Sequence, residues 1–260
     1  MNAPAQENSP RHALVTGGGS GIGAAIAIAL VEAGTRVTIT GRRRDVLQTL
    51  VARYPGQMQA VVMNVSDAQT VGDAFVQAKA GFGPVQILVN NAGQAHSAAF
   101  IKTDAALWEQ MLSVNLTGTF HCTQAALPDM LSAQWGRIVN VASTAGLIGY
   151  AYVAAYCAAK HGVVGLTRAL ALEYAKKGIT VNAVCPGYTE TDILRESIAN
   201  VMAKTGRTEE QARAEFASGN PQGRIVQPEE VADAVRWLCG DAAAAMTGQS
   251  IAVGGGEVMN

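Results

Sequence analysis

The sequence predicts an α/β fold in which helices cover both faces of a doubly wound parallel sheet of seven strands. Short apolar runs alternate with helical segments along almost the whole 260-residue chain, and this alternation is typical of right-handed strand–helix–strand units. Several runs are apolar almost throughout, as expected of parallel strands that are buried on both faces. Hydrophobic residues make up 49% of the chain and charged residues 15%, which indicates a large buried core.

The predicted strands follow one another at regular intervals. They are HALVTG at 12–17, RVTITG at 36–41, MQAVVMN at 58–64, VQILVNNAG at 85–93, GRIVNVAS at 136–143, ITVNAVCPG at 179–187 and SIAVGGG at 250–256. The helices between them have recognisable first turns. Ser66 with Gln69 is typical of a capping box, and Pro228 followed by two glutamates is a favourable helix start.

One segment interrupts this rhythm. Residues 188–226 are far more polar than their surroundings and carry helical pattern in two pieces. An excursion of this length between a strand and a helix is either a lid or an interface element. We therefore expect a single domain at 11–260, with a lid or substrate segment at 188–226 before the last helix–strand unit, and a flexible tail at 1–10.

Charge and cysteine content exclude several classes of function. The formal net charge is -1 and no basic block is long, so nothing supports nucleic-acid binding. The cysteines form no CxxC pair and no histidine–carboxylate spacing occurs, which predicts no metal site and a reducing cytoplasm. The chain opens without a signal-peptide pattern, and its longest apolar run is too short to span a bilayer. The four cysteines are Cys122, Cys157, Cys185 and Cys239.

A glycine-rich turn, TGGGSGIG at 16–23, follows the first predicted strand and opens a helix. Gly17, Gly21 and Gly23 would let the chain turn sharply and let a pyrophosphate approach the backbone at a helix N-terminus. Tight turns need glycine in any case, so the turn alone is weak evidence for a site. Its place between a strand and a helix favours a dinucleotide site in a Rossmann-like fold.

Tyr156 and Lys160 lie four residues apart in an apolar helical segment. Free tyrosine has a pKa of about 10, and residues at this spacing share one helix face. A neighbouring ammonium favours the phenolate and would lower the tyrosine pKa, which suits proton exchange with a carbonyl or alcohol oxygen. The alternative is a packed pair whose polar tips reach water, and the spacing alone does not decide between the two.

Further short motifs occur in order along the chain, and together they are specific. The motifs are the glycine turn, NNAG at 90–93, Asn115 in SVNLTG, Ser143 in GRIVNVAST, Tyr156-x-x-x-Lys160, CPG at 185–187 and VGGGEV at 253–258. With them the chain resembles the short-chain dehydrogenase/reductase family from about Ala13 to the C-terminus.

The resemblance implies an oxidoreductase that interconverts a ketone and a secondary alcohol with a nicotinamide cofactor. Four catalytic residues follow from it. Tyr156 would act as general acid and base, and Ser143 would hydrogen-bond the same substrate oxygen. Lys160 would hold the nicotinamide ribose, and Asn115 would anchor a water that links Lys160 to solvent for proton relay.

The resemblance also places the cofactor beyond the carboxyl ends of the strands. In relatives, an acid at the end of the second strand binds the ribose 2′-OH and rejects a 2′-phosphate. Here that strand ends with Gly41 and Arg42, and a guanidinium suits a phosphate. We therefore predict NADP(H) in preference to NAD(H); the alternative is that RRRD at 42–45 merely starts a solvated helix. The expected cofactor contacts are Gly17, Gly19, Ser20, Gly21, Ile22, Gly23, Arg42, Asn64, Val65, Asn91, Ala92, Gly93, Tyr156, Lys160, Pro186, Gly187, Thr189 and Thr191.

Two groups within the family are similar to this chain. ASTAGLIG and GITVNAVCPG resemble ketoreductases of 3-oxoacyl thioesters and polyketides, whereas NNAGQAHSAAF and the polar excursion resemble bacterial 3-hydroxybutyrate dehydrogenases. The second group binds a free carboxylate with polar side chains at positions where this chain has Ala145 and Val153. We therefore expect a 3-oxoacyl thioester or polyketide-like ketone as substrate. An NAD-dependent 3-hydroxybutyrate or other secondary-alcohol dehydrogenase is the alternative, with Gln94 and His96 as a partial polar clamp. The expected pocket residues are Gln94, His96, Ser143, Ala145, Tyr150, Val153 and Tyr188.

By resemblance, the apolar helices at 104–132 and 152–177 would form the interface of a homotetramer. A dinucleotide-sensing scaffold is the rival from outside the enzymes. Such a protein could lose Ser143, Tyr156 or Lys160 at no cost, and the presence of all three favours an enzyme.

Overall fold

A computed structural model of the protein describes residues 10–259. Within that range the chain forms one parallel sheet of seven strands in the order β3-β2-β1-β4-β5-β6-β7. The expected tail at 1–10 lies outside the described residues, apart from Pro10. All the predicted strands are confirmed: β1 (His12–Thr16), β2 (Arg36–Gly41), β3 (Met58–Val62), β4 (Ile87–Asn90), β5 (Gly136–Val141), β6 (Ile179–Pro186) and β7 (Ser250–Val253).

Helices cover both faces of the sheet. None of the helices formed by residues 10–259 combines the length and the apolar character that crossing a bilayer requires. A π-helical turn at Ser113–Thr117 joins the fourth helix to the fifth. The helices of this range are α1 (Gly21–Glu32), α2 (Arg44–Val51), α3 (Ala68–Phe82), α4 (Ala105–Leu112), α5 (Gly118–Ala133), α6 (Ala154–Tyr174), α7 (Asp192–Thr205), α8 (Glu209–Ser218) and α9 (Pro228–Cys239).

The alternation of side chains along each strand divides the core between the two faces. Ala13 and Val15 of β1 pack in one cluster with Ile26 of α1, whereas Leu14 packs in another with Met130 of α5. All five side chains are fully buried, because successive residues of a strand point to opposite faces and each face is covered. The strands are therefore apolar almost throughout.

The strand order reverses between β1 and β4. The chain extends the sheet from β1 through β2 to β3, and then returns to add β4 to β7 on the other side of β1. In open sheets of this kind ligands bind beyond the carboxyl ends of the strands at the reversal. A ligand site is therefore expected at the segments that follow Thr16 and Asn90.

The two predicted helix starts have different outcomes. Pro228 is the first residue of α9, and Gln227 donates its backbone N–H to Glu230 Oε2 at 2.8 Å, which confirms that prediction. The capping box at Ser66 was wrong, because α3 is capped by Asp67. The Asp67 carboxylate accepts from the backbone N–H groups of Gln69 and Thr70 at 2.9 and 3.2 Å, and an ionised acceptor that serves two donors outcompetes a hydroxyl one residue earlier.

The segment 188–226 forms two helices, α7 and α8, which share a small core of Leu194, Ile198 and Ala212. The ends of the segment are joined to each other. Glu190 donates its N–H to Val226 O at 2.9 Å, and Val226 donates to Tyr188 O at 3.0 Å. The chain thus leaves and re-enters the domain at one place, beside the carboxyl end of β6.

The turn between β1 and α1 depends on glycine at position 23. A Cβ atom added there would lie 2.2 Å from Gly17 O and 2.4 Å from Asn91 Nδ2. Neither neighbour is the tip of a flexible side chain with room to move, because Asn91 Nδ2 itself donates to Thr16 O and Gly17 O at 3.0 and 3.2 Å. The absence of a side chain at Gly23 therefore lets α1 approach β1 and β4.

We predict that Gly23→Ala lowers the free energy of unfolding by at least about 2 kcal/mol, because the new methyl group must displace backbone. Gly72→Ala in α3 is the matched control. A Cβ atom at Gly72 meets nothing within 4 Å, so this change should stabilise the helix by about 0.5–1 kcal/mol. Urea unfolding followed by circular dichroism measures both variants, and equal unfolding free energies would contradict the packing described for Gly23.

Candidate active site

The N-terminus of α1 is shaped to receive an anion. Ser20 precedes the helix in extended conformation, its side chain makes no capping hydrogen bond, and no acidic residue lies in the first turn. Gly17 and Gly21 adopt φ angles of +63° and +52°, in the left-handed region that favours glycine. Unpaired N–H groups and the positive end of the helix dipole bind phosphate. These residues therefore fit the pyrophosphate of a dinucleotide.

Two more residues of the turn, Gly19 and Ile22, border other parts of the fold. A Cβ atom at Gly19 would lie 3.1 Å from Val46 Cγ1 of α2, which is tighter than an ordinary contact. Ile22 packs against the core on the α1 face of the sheet. Gly19 therefore keeps the turn close to α2, while Ile22 anchors the first turn of α1.

Asn91, Ala92 and Gly93 lie against the glycine turn. The backbone N–H groups of Asn91 and Ala92 both donate to Thr16 Oγ1 at 2.9 Å. A Cβ atom at Gly93 would lie 2.8 Å from Asn115 Oδ1, so glycine permits Asn115 to approach this loop. The structure thus brings the segments after β1 and β4 together, as the sequence predicts.

The carboxyl end of β2 offers a cation and no acid. Arg42 is exposed directly after the strand. A Cβ atom at Gly41 would meet nothing nearer than Leu47 Cδ2 at 3.6 Å, so an acidic side chain would fit at position 41 without a clash. Asn64 and Val65 follow the neighbouring strand β3, where Asn64 is exposed and Val65 is buried. The lack of an acid at position 41 is therefore a chemical feature and not a consequence of crowding.

The segment after β6 also approaches the glycine turn. Pro186 ends β6, and Thr189 Oγ1 donates to Gly187 O at 3.0 Å. Thr191 caps α7, and its Cγ2 atom would lie 3.1 Å from a Cβ atom at Gly21. The start of the 188–226 segment therefore touches the glycine turn.

The side chains of Ser143 and Tyr156 lie close enough for the Ser143 hydroxyl to affect the pKa of Tyr156. Ser143 lies just beyond β5, and Tyr156 lies in the first turn of α6. Burial raises the pKa of Tyr156 to about 12, and the Ser143 side chain acts in the opposite direction. The predicted lowering of this pKa was wrong, because burial dominates. At neutral pH the phenol therefore keeps its proton and is a donor.

Lys160 lies one turn further along α6 and is buried. Its Nζ atom donates to Val141 O at 2.9 Å and lies 5.6 Å from the centroid of the Tyr156 ring. Burial lowers the pKa of Lys160 to about 8, since a low-dielectric environment disfavours the ammonium form. The group can therefore gain and lose a proton near neutral pH.

Asn115 occupies the π-helical turn between α4 and α5 and is almost fully buried. Its Nδ2 atom donates to Gln94 O at 3.0 Å and to Met111 O at 2.9 Å, and its Oδ1 atom accepts from Gln94 N at 3.2 Å. A Cβ atom at Gly93 would lie 2.8 Å from Asn115 Oδ1 and 3.7 Å from Lys160 Nζ. Single π turns are frequent at functional sites, and this one directs Asn115 towards Lys160.

The predicted substrate residues fall into an apolar and a polar set. Ala145 is buried, and Val153 is half-buried directly before α6. His96 is exposed, whereas the Nε2 atom of Gln94 is buried and has no hydrogen-bond partner among the described residues. A buried amide without a partner costs free energy, so Gln94 is a polar group available to a ligand.

The sequence did not identify Glu257 as a site residue. The Tyr150 hydroxyl lies 2.5 Å from Glu257 Oε1 and 2.9 Å from Thr144 Oγ1. Burial and the neighbouring Glu257 carboxylate raise the pKa of Tyr150 above its ordinary value. The ring of Tyr188 lies 6.3 Å from that of Tyr150 and 4.9 Å from that of Phe216 of α8, centroid to centroid. The one signal for Glu257 was its position as the only charged residue in the closing GGGEVMN.

A metal centre finds no support within residues 10–259. In that part of the chain no three histidine, cysteine, aspartate or glutamate side chains are grouped closely enough to hold an ion. The four cysteines are free and buried.

Known proteins match nearly the whole chain. The family model described as short chain dehydrogenase matches residues 11–201. The chain is 42% identical to the monensin polyketide synthase putative ketoacyl reductase of Streptomyces virginiae, covering 96% of this chain and 98% of that protein. It is 39% identical to the D-beta-hydroxybutyrate dehydrogenase of Cupriavidus necator, over 95% and 97% of the two chains.

A solved structure agrees with the fold. The crystal structure of a point variant of actinorhodin polyketide ketoreductase with NADPH superimposes with a TM-score of 0.92 at 40% identity, covering 95% of this chain and 97% of that one. The described strand order, the glycine turn and the matched sequence agree with one another. The chain belongs to the short chain dehydrogenase family of oxidoreductases, which act on CH–OH groups and the corresponding ketones.

Proposed function

We propose that the protein uses NADPH to reduce the ketone of a 3-oxoacyl thioester or a polyketide-like chain to the secondary alcohol. The observation that carries this proposal is the grouping of Ser143, Tyr156 and the buried Lys160. Ala145 and Val153, the two residues at the positions expected to bind a carboxylate, are apolar. Relatives named ketoacyl reductase and acetoacetyl-CoA reductase support it.

In this proposal a bound nicotinamide dinucleotide supplies the hydride that reduces the carbonyl carbon. Tyr156 donates its phenolic proton to the carbonyl oxygen. Ser143 donates a hydrogen bond to the same oxygen and fixes the direction of the carbonyl group. Lys160, whose pKa burial lowers to about 8, holds the ribose hydroxyls and helps to return a proton to Tyr156. Asn115 anchors the water that connects Lys160 to solvent.

We predict that Tyr156→Phe lowers kcat/KM for ketone reduction by about 10²- to 10⁴-fold, because the proton donor is lost. The dissociation constant for NADPH should change less than about threefold, since the ring remains. Stopped-flow or steady-state absorbance at the nicotinamide band measures the first quantity, and fluorescence titration the second. Tyr54→Phe, the same change in the turn between α2 and the amino end of β3, is the control and should retain wild-type kinetics. A loss below about tenfold for Tyr156→Phe would contradict its role.

The cofactor proposal rests on the carboxyl end of β2. Arg42 is exposed there, and position 41 has room for an acid but holds glycine. A guanidinium pairs well with the 2′-phosphate that distinguishes NADPH from NADH. The similar ketoreductase of known structure was solved with NADPH.

Wild-type protein is expected to prefer NADPH to NADH by at least about tenfold in kcat/KM, and Arg42→Ala should remove most of that preference. A charged hydrogen bond contributes about 1.5–3 kcal/mol, so kcat/KM with NADPH should fall by roughly 10- to 100-fold while the value with NADH stays within about threefold. Arg53→Ala, an exposed arginine beyond the far end of α2, is the control for the change in net charge. A tenfold preference of the wild type for NADH would overturn the proposal.

A free hydroxy acid is the second candidate substrate. The buried, unpartnered Nε2 atom of Gln94 favours it, since an amide can donate to a carboxylate, and relatives named D-beta-hydroxybutyrate dehydrogenase are similar to the chain. Initial rates with NADPH and NADH against acetoacetyl-CoA, a β-keto ester, an aryl ketone and acetoacetate separate the two candidates. Turnover of free 3-hydroxybutyrate equal to or better than that of acetoacetyl-CoA would favour the second.

We propose in addition that the chain forms a homotetramer through α4, α5 and α6. These helices and the turn before them leave large apolar side chains exposed, among them Ile101, Phe120 and Leu172 at 93%, 42% and 85% exposure. Exposed apolar patches of this kind mark protein interfaces. Sedimentation equilibrium should give the mass of four chains, and the mass of one chain would contradict the proposal.

A further inference from the structure

The Glu257 carboxylate is half-buried and is not paired with a cation. It lies in the segment after β7, and none of the ion pairs formed by the described residues includes it. The 2.5 Å separation between its Oε1 atom and the Tyr150 hydroxyl is typical of a hydrogen bond to an ionised carboxylate. The Tyr150 hydroxyl donates a hydrogen bond to Glu257 Oε1, and its oxygen can accept one from the Thr144 hydroxyl. The bond to Tyr150 holds the negative charge in place without neutralising it.

The position of this charge connects it to the reaction site. Thr144, which shares the Tyr150 hydroxyl with Glu257, is the residue directly after Ser143. The other oxygen, Glu257 Oε2, would lie 2.6 Å from a Cβ atom at Gly187, next to Tyr188. Glu257 also contributes to raising the pKa of Tyr188. The carboxylate is therefore close to Tyr150 and Tyr188, and Tyr188 in turn contributes to raising the pKa of Tyr156.

The charges around Glu257 do not compensate it. Glu215 of α8 also acts on Tyr188, but Glu215 is paired with Arg207. Lys160 is the cation of the site, but its Nζ atom donates to Val141 O and forms no ion pair with Glu257. At the positions where a carboxylate-binding relative would place polar side chains, Ala145 and Val153 carry no charge. Beside Tyr150 and Tyr188, the Glu257 carboxylate is therefore not paired with any cation of the described residues.

We propose that Glu257 is a specificity-determining residue, whose fixed negative charge rejects substrates with a free carboxylate and leaves the pocket open to neutral esters and thioesters. The inference rests on the proposed function, because it concerns which 3-oxo compound reaches Ser143 and Tyr156. In a 3-oxo acid the carboxylate is separated from the reacting carbonyl by a single carbon atom. When the carbonyl is held by Ser143 and Tyr156, the carboxylate of the substrate must come close enough to the Glu257 carboxylate to be repelled by it. An ester or thioester of the same length carries no charge there and escapes the repulsion.

The size of the expected effect follows from Coulomb's law. Two like charges several ångströms apart at a protein surface repel each other enough to change an equilibrium constant by roughly tenfold. Glu257→Gln removes the charge but keeps the shape and an oxygen that can accept from Tyr150. The repulsion should therefore disappear while the position of Tyr150 is maintained.

The test compares acetoacetate with methyl acetoacetate, a neutral compound of nearly the same shape, in steady-state reduction with NADPH. In Glu257→Gln, the ratio of kcat/KM for the ester to kcat/KM for the acid should fall by about tenfold. The change should appear mainly as a lower KM for acetoacetate, with kcat/KM for the ester within about threefold of wild type. Glu32→Gln is the matched control: it removes the same charge from the exposed last residue of α1, at the opposite end of that helix from the cofactor turn, and its ratio should equal that of the wild type.

Tyr150→Phe distinguishes charge from anchoring. This variant removes the hydrogen bond but keeps the carboxylate, so discrimination against acetoacetate should persist at or above the wild-type level. If Glu257 only anchored the C-terminal segment, Glu257→Gln would keep the wild-type ratio, and that result overturns the inference. Thermal unfolding of each variant checks that the fold is intact. A wild-type enzyme that reduces neither methyl acetoacetate nor acetoacetyl-CoA would overturn the proposed function and this inference with it, whereas an unchanged ratio in an active enzyme overturns the inference alone.

Discussion

The buried ammonium group of Lys160 is the constraint on which the rest of the site depends. A lysine that is almost fully removed from water and bonded to a single carbonyl oxygen, Val141 O, carries a charge that its surroundings only partly stabilise. Burial lowers its pKa to about 8 for this reason. Such a group needs further hydrogen-bond acceptors. Asn115 Oδ1 and Lys160 Nζ both lie beside Gly93, and Asn115 belongs to the proposed proton path.

Packing of the parallel sheet brings these acceptors to the lysine. Asn115 reaches the site because a π turn redirects its side chain and because Gly93 leaves room for it. A similarly close approach at Gly23 lets α1 pack against the segments that follow β1 and β4. Glu257 adds the opposite charge on the substrate side. The site thus combines a cation that donates to the backbone oxygen of Val141 with an anion that is held by the Tyr150 hydroxyl.

Much of this could be predicted from the sequence, because it depends on local pattern. Apolar runs identified the strands, and the spacing of Tyr156 and Lys160 placed both on one helix face. Tertiary burial could not be predicted, and for that reason the direction of the Tyr156 pKa shift was wrong. Glu257 was missed because its contact with Tyr150 joins residues 107 positions apart. The cap of α3 is Asp67 and not the predicted Ser66, because neighbouring residues can both match the sequence pattern of a helix cap and only one of them takes that position.

The measurement that tests the role of Lys160 most directly is the pH dependence of kcat/KM for NADPH, which reports ionisations of the free enzyme. Below its pKa of about 8 the lysine is an ammonium ion and can hold the ribose hydroxyls. Above that value it loses the charge, while Tyr156, with a pKa of about 12, keeps its proton. We expect kcat/KM to be level near pH 7 and to fall about tenfold by one pH unit above the lysine pKa. A value unchanged to about pH 9.5, well above that pKa, would contradict the proposed part of the buried lysine.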